Sequence, residues 1–247
     1  MDFKKVGVVI LAGGRGARLN CTEIPKVMCP IGDKPIISYI VDTLFQIGFE
    51  KSSISLVVGF KREKVEEYFG EGFIYAHQKE QLGTGHAAYV GMQKLPKEIE
   101  IVLVLNGDDS AFYKKESLVN FIQSHLENNA TISLLTTELD HPIGYGRVIR
   151  KNNSFKIIEK EYLTEEQEKV QEISTGTFVF DRFWYEGVFP NMPKMRAINE
   201  YGIPAAIMMA RDENKKIQAV LLEDRKEWYG VNKPHELEEA NKRKQIK

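Results

Sequence analysis

Apolar residues in this chain fall into short unbroken runs separated by longer stretches with helical spacing, and that alternation restricts the fold more than any other feature. Val6–Leu11 is one such run and leads directly into Ala12-Gly13-Gly14. Ile54–Val58, Phe73–Ala76, Ile99–Leu105 and Ile132–Thr136 repeat the pattern. Between them, Pro35–Ile47 places Ile36, Ile37, Ile40, Val41, Leu44 and Ile47 on one helical face and stops at Gly48. Lys61–Phe69, closed by Gly70, Thr84–Leu95 and Lys114–Asn128 read as further helices. Strands that are apolar on both faces and alternate with helices imply a mostly parallel sheet covered on both sides.

The second half changes character. Arg147–Arg150 and Phe155–Glu159 alternate around Lys151-Asn152-Asn153-Ser154, the pattern of a hairpin. Thr164–Glu172 is expected to be a short exposed helix, with Thr164 as its cap and Gln167 closing a capping box. Thr177–Phe180 and Ile217–Leu222 read as strands, and Ile203–Ala210 as a helix that tolerates Pro204 in its first turn. Lys233–Lys247 reads as a charged surface helix, and Phe183, Trp184 and Tyr185 are expected to pack the core of this half. No Gly/Ser/Pro linker divides the chain and no internal repeat occurs. The reading is one α/β domain with an inserted β-hairpin region.

Charge and cysteine content exclude some functions. Lys plus Arg number 34 against 35 Asp plus Glu, a formal net charge of −1, which argues against a broad nucleic-acid-binding surface. Cys21 and Cys29 have no partners at zinc spacing and read as reduced thiols. No apolar run reaches membrane-spanning length, and the opening residues lead straight into a strand, so the expectation is a cytoplasmic protein without membrane attachment.

The loop after the first strand carries the chemistry. Glycines there allow a sharp turn that aims N–H groups at an anion, although a tight turn alone would also use them. A dinucleotide fingerprint fails because Leu19 stands at its third glycine, and a P-loop fails for want of Gly-Lys-Ser/Thr. What remains is Gly14-x-Gly16-x-Arg18 followed by Pro25-Lys26, two cations flanking a glycine turn, which suits a triphosphate.

Leu11-Ala12-Gly13-Gly14-x-Gly16-x-Arg18-Leu19, with Pro25-Lys26-Val27-Met28 and Gly32-Asp33-Lys34-Pro35, resembles the signature of sugar-1-phosphate nucleotidyltransferases. Gln78 through Ala87 is similar to the uracil-binding loop of N-acetylglucosamine-1-phosphate uridylyltransferases. Gly144-Tyr145-Gly146-Arg147, the stretch from Thr164 through Gly176, and Gly230-Val231-Asn232 follow the same family in order. The resemblance implies a Rossmann-like, three-layer, GT-A-like nucleotidyltransferase fold over 1–247. Residues 1–112 would form its nucleotide-binding half, 113–232 its sugar-binding half and 233–247 a C-terminal helix.

It also implies a reaction: a sugar 1-phosphate attacks the α-phosphorus of a nucleoside triphosphate, most readily UTP, and pyrophosphate leaves. Arg18 and Lys26 would be the catalytic cations, with Arg15 a weaker candidate. Leu11, Ala12, Gly13, Gly14, Gly16, Gln78, Gly83 and Thr84 would bind the nucleotide, and Asn106, Gly146, Glu159 and Ser174 the sugar. Asp108 and Asn232 would hold Mg²⁺, the implied cofactor, although either could instead cap local structure. Asp109 would support Asp108 or face solvent, and His86 would bond backbone at a helix terminus.

Three positions depart from the family: Ala17 replaces Thr in the glycine loop, a tolerable loss of a hydroxyl, and in the sugar pocket Ser174 replaces Asn and Asn106 replaces Tyr. The last two leave the hexose open. The hexapeptide repeats of a β-helix acetyltransferase domain do not occur, so that activity is not expected. Two other readings stand beside the uridylyltransferase: a cytidylyl- or thymidylyltransferase on a related phosphate, and a non-catalytic member that keeps the fold.

Overall fold

The computed structural model describes residues 3–16, 19, 21, 23–151, 154–195 and 199–245. Its backbone is a seven-stranded sheet built from β1 (Val6–Leu11), β4 (Ile54–Val58), β5 (Ile74–His77), β6 (Ile101–Asn106), β7 (Ile132–Glu138), β10 (Glu172–Asp181) and β11 (Ile217–Leu221). Two small hairpins lie outside it, β2 (Pro30–Ile31) with β3 (Lys34–Pro35), and β8 (Arg147–Lys151) with β9 (Ser154–Ile158). The strand order is β11-β7-β10-β6-β1-β4-β5. All neighbours pair in parallel except β10, which runs antiparallel to both β6 and β7.

The alternation of side chains across each strand builds two cores. Val8, Ile10, Leu56, Leu103 and Leu105 face α1 (Ile36–Ile47) and α4 (Lys115–Glu127). Val9, Val57, Val102 and Val104 face α3 (Thr84–Met92), α6 (Arg182–Val188) and α7 (Ile203–Asp212). This is the expected three-layer α/β architecture. The short α2 (Glu63–Phe69) adds Val65 to the first core. Helix α1 buries Ile36, Ile37, Ile40, Val41 and Leu44, and ends where Gly48 turns left-handed at φ 108° and its N–H reaches the carbonyls of Leu44 and Phe45.

Helix α3 approaches the sheet through a glycine. A Cβ on Gly91 would stand 2.5 Å from Val9 and 2.7 Å from Val57. Gly91→Val is therefore expected to destabilise the protein by about 2–3 kcal/mol. The urea midpoint measures this, and an unchanged midpoint would refute the packing argument.

Two expectations need correction. The charged helix is only α5 (Glu165–Glu168); its capping box of Thr164 and Gln167 is present, but Glu172 opens strand β10. Pairing with β7 claims Glu172–Ser174, and Arg150 forks onto the Glu172 carboxylate at 2.7–3.1 Å, which makes a charged residue acceptable there. Phe183 is 57% exposed, because α6 turns Tyr185 inward and residue 183 away from the core.

The C-terminal helix α8 (Pro234–Gln245) is docked rather than free. Ala240 is buried in a third apolar cluster with Leu19, Cys29, Ile31, Ile36, Ala111 and Val231. Asn241 accepts the Gly32 N–H at 2.7 Å, and Lys244 donates to the Ala111 carbonyl at 2.6 Å. The Lys244 ammonium lies over the Tyr39 and Phe112 rings, and burial pushes its pKa down to about 8. Among the described residues no helix is long and apolar enough to cross a membrane.

Candidate active site

The parallel strands β1, β4 and β6 deliver their carboxyl ends to one edge, where open α/β sheets place ligand clefts. There the chain leaves β1 through Gly13-Gly14-Arg15-Gly16. Gly16 takes φ 66°, and a Cβ on it would meet the Lys26 backbone at 3.1 Å. The Lys26 N–H donates to the Gly14 carbonyl at 3.0 Å, so the glycine turn sets the position of Lys26.

A cleft of about 530 Å³ opens over this turn. Leu11, Gly13, Gly14, Gly16, Lys26, Gln78, Gly83, Thr84, Asn106, Asp108 and Asn232 line it together, as does Arg15. Ala12 does not reach the cleft wall: its side chain is buried in the first core, and its N–H is spent on the Val57 carbonyl at 2.8 Å. Arg18 lies outside the described residues. Gln81, Glu200 and Asp109 also line the cleft. The Gln81 amide donates to the Gly13 carbonyl at 2.8 Å. The sequence holds no signal for Glu200, which arrives from the segment before α7.

Lys26 stands where three distant parts of the chain meet. Its ammonium bonds the Asp108 carboxylate at the end of β6 and donates to Asn232 Oδ1 at 2.9 Å. Asn232 is held by its own N–H, which donates to Glu236 at the start of α8 at 2.6 Å. Its side-chain oxygen thus serves Lys26. Two oxygen donors therefore already converge on one cation, and hard oxygen donors of this kind fit Mg²⁺. Among the described residues no group of three or more His, Cys, Asp or Glu side chains converges as a metal site, here or elsewhere. Asp108 and Asn232 could hold the ion only with oxygens from substrate or water, the usual habit of Mg²⁺.

A second cavity of about 260 Å³ adjoins the first and shares Asn106 and Asp109 with it. Gly146 and Glu159 from the β8–β9 hairpin region line it, with Ser174 from β10. The four residues expected to hold a sugar are thus brought together. A bulge between Ser174 and Thr177 interrupts the β10–β7 register, with Gly176 at φ 75°. A Cβ there would run into the Asn106 amide, so Asn106 and the bulge fit one another. Burial, then neighbouring Glu161, raises the Glu159 carboxyl above its ordinary range. Asp109 is half-buried where the two cavities meet: its Oδ1 is sealed without a hydrogen-bond partner, and burial and the Asp108 charge push its carboxyl well up.

The Gln78–Ala87 loop is anchored from across the cleft. Tyr201 donates its N–H to the Leu82 carbonyl at 2.8 Å, and Gly85 donates to the Tyr201 carbonyl at 2.7 Å. A Cβ on Gly85 would stand 2.8 Å from that carbonyl oxygen. Gln78 is buried, and its amide nitrogen donates to the Gly83 carbonyl at 3.1 Å and faces His86 Nδ1 at 3.1 Å. His86 thus spends its ring on a side chain that lines the cleft, beyond the backbone contact expected of it.

The family described as nucleotidyl transferase matches residues 7–245, nearly the whole chain and all three contributors to the Lys26 cluster. The chain belongs to the nucleotidyl transferase family. It is 36% identical over 237 residues to the bifunctional protein GlmU of Caldicellulosiruptor saccharolyticus, covering 95% of this chain and 50% of that one. It is 34% identical over 236 residues to the bifunctional protein GlmU of Oceanobacillus iheyensis, covering 95% and 51%. This nucleotidyltransferase therefore spans about half the length of the curated relatives it matches. Its fold also matches the crystal structure of a UDP-glucose pyrophosphorylase complexed with UDP-glucose, at TM-score 0.79 and 20% identity over 98% of each chain.

Proposed function

We propose that this nucleotidyltransferase joins UTP and a hexose or N-acetylhexosamine 1-phosphate, with Mg²⁺, to give a UDP-sugar and pyrophosphate. The observation that carries the reading is the juncture of the two cavities at Asn106 and Asp109, beside the Lys26 ammonium. One cavity suits a nucleotide and its phosphates, the other a hexose, and the cation stands where their phosphates would meet. The solved relative that holds UDP-glucose supports a nucleotide-sugar product.

The nucleophile, a sugar-phosphate oxygen, is already an anion, so no general base is required. It forms a bond to the α-phosphorus while the bond from that phosphorus to the bridging oxygen breaks and pyrophosphate departs with the electron pair. The obstacle is the approach of two polyanions: unit charges at 4 Å repel by about 4 kcal/mol at an effective dielectric of 20. Lys26 offsets that repulsion at the juncture. The Gly13–Gly16 backbone cradles the triphosphate, and Arg18, on its place in the motif, neutralises the β- and γ-phosphates. Asp108 and Asn232 would hold the metal. When bound, Mg²⁺ supplies further charge neutralisation on the phosphate oxygens. Glu159, Gly146, Ser174 and Asn106 orient the hexose so that its phosphate lies in line.

Pyrophosphate release from each common nucleoside triphosphate, paired with a panel of sugar 1-phosphates with and without Mg²⁺, tests the reading. Turnover is expected with UTP and to require the metal. Turnover with CTP alone overturns the uridylyl assignment, and nucleotide binding without turnover for any pair favours a regulatory member of the fold. Within the sugar cavity, Ser174→Asn is expected to raise the relative kcat/KM for N-acetylglucosamine 1-phosphate about tenfold, because a longer amide reaches further into the cavity. An unchanged preference would show that the side chain at this position does not select the sugar.

A further inference from the structure

We propose that His86 is a positioning residue: it fixes the orientation of the Gln78 amide so that the cleft accepts uracil and rejects cytosine. The assignment rests on the uridylyl reading and deepens it.

A carbonyl oxygen can only accept a hydrogen bond, so the Gly83 carbonyl, 3.1 Å from the Gln78 side chain, fixes that end of the amide as nitrogen. The second hydrogen on Nε2 points at His86 Nδ1, also at 3.1 Å. Nδ1 must then be the bare ring nitrogen, with the proton on Nε2. Both amide hydrogens are spent, which leaves Oε1 as the face toward Gly13 and the cleft. Uracil offers an N–H donor at N3 and satisfies that oxygen. Cytosine offers a bare N3, and two acceptors would be opposed.

The pairing requires neutral His86. Burial lowers its pKa below the ordinary histidine value, while Glu80 in the preceding loop acts in the opposite direction and is outweighed. Phe189 packs on the ring and is uncharged, and Glu200 lines the same cleft. Protonation would place an N–H on Nδ1 facing the amide NH₂, donor against donor. The amide then gains by turning over, surrenders its bond to Gly83 and presents NH₂ to the base, the pattern that matches cytosine. Acid should therefore erode the preference for uracil.

Equilibrium binding of UTP and of CTP to the whole chain, at about pH 8 and at about pH 4.5, well below the ordinary histidine value because burial lowers this one, tests this. Asn places an oxygen where Nδ1 stands and does not titrate. The ratio of the two affinities in wild type is expected to fall at least about fivefold on acidification. In His86→Asn the ratio should hold at both pH values, which also removes any contribution from titration of the nucleotides. In His86→Leu it should be reduced about tenfold at both. A wild type that binds CTP as tightly as UTP at about pH 8 overturns the uridylyl reading and this assignment with it. A wild-type preference for UTP that His86→Leu leaves unmoved overturns this assignment alone.

Discussion

Lys26→Ala is expected to lower kcat by about a hundredfold to a thousandfold, the scale seen when one preorganised charge at a reacting centre is removed. Lys26 is held from two sides, by Asp108 and Asn232, and its side chain is only 13% exposed. It therefore stands at the cleft before substrate arrives. Because Asp108 borders an open cleft, water can replace the lost ammonium, so the melting temperature should move little. Lys26→Arg should not restore the rate, since a planar fork cannot take the place of a compact ammonium between two oxygen donors. Steady-state turnover with UTP and a hexose 1-phosphate measures both variants. A near-wild-type rate in Lys26→Ala removes this residue from the mechanism.

The second large effect is expected at Asp108. Asp108→Ala should cut turnover at least about a thousandfold and abolish the response of the rate to Mg²⁺. Asn232 alone is a neutral donor and cannot compensate the lost carboxylate. Direct measurement of Mg²⁺ or Mn²⁺ binding in the presence of nucleotide provides a readout separate from turnover, and the affinity should fall in parallel. Retention of wild-type metal binding would place the ion elsewhere.

Much of the scaffold was legible because it depends on local pattern. Val6–Leu11 and Ile54–Val58 are apolar on both faces since helices cover both faces, and Ile36 to Leu44 repeat at helical spacing because one side of α1 is dry. Strand β10 was legible only in its apolar end. Its first residues are marked by pairing with β7 and by Arg150, contacts made far along the chain that leave no periodic trace. The docking of α8 was hidden for a similar reason: one buried alanine and the side-chain bonds of Glu236, Asn241 and Lys244 hold a helix that is otherwise polar. In the site, Lys26, Asp108 and Asn232 could be named from motif resemblance, and the structure then brought them together. Glu200 could not be named, because it belongs to no spacing that a chemical argument requires. Phe183 shows the opposite: its place among aromatic residues predicts core, whereas helical geometry turns it outward.

The meeting of Lys26, Asp108 and Asn232 bears on how the protein acquires its competence. Their partners are 82 and 206 positions apart along the chain. Such long-separation contacts close late, after the loops they bridge have surrendered their freedom. Recovery of turnover after dilution from denaturant should consequently lag the return of helical circular dichroism, and the enzyme's own chemistry becomes a clock for the last stage of its assembly.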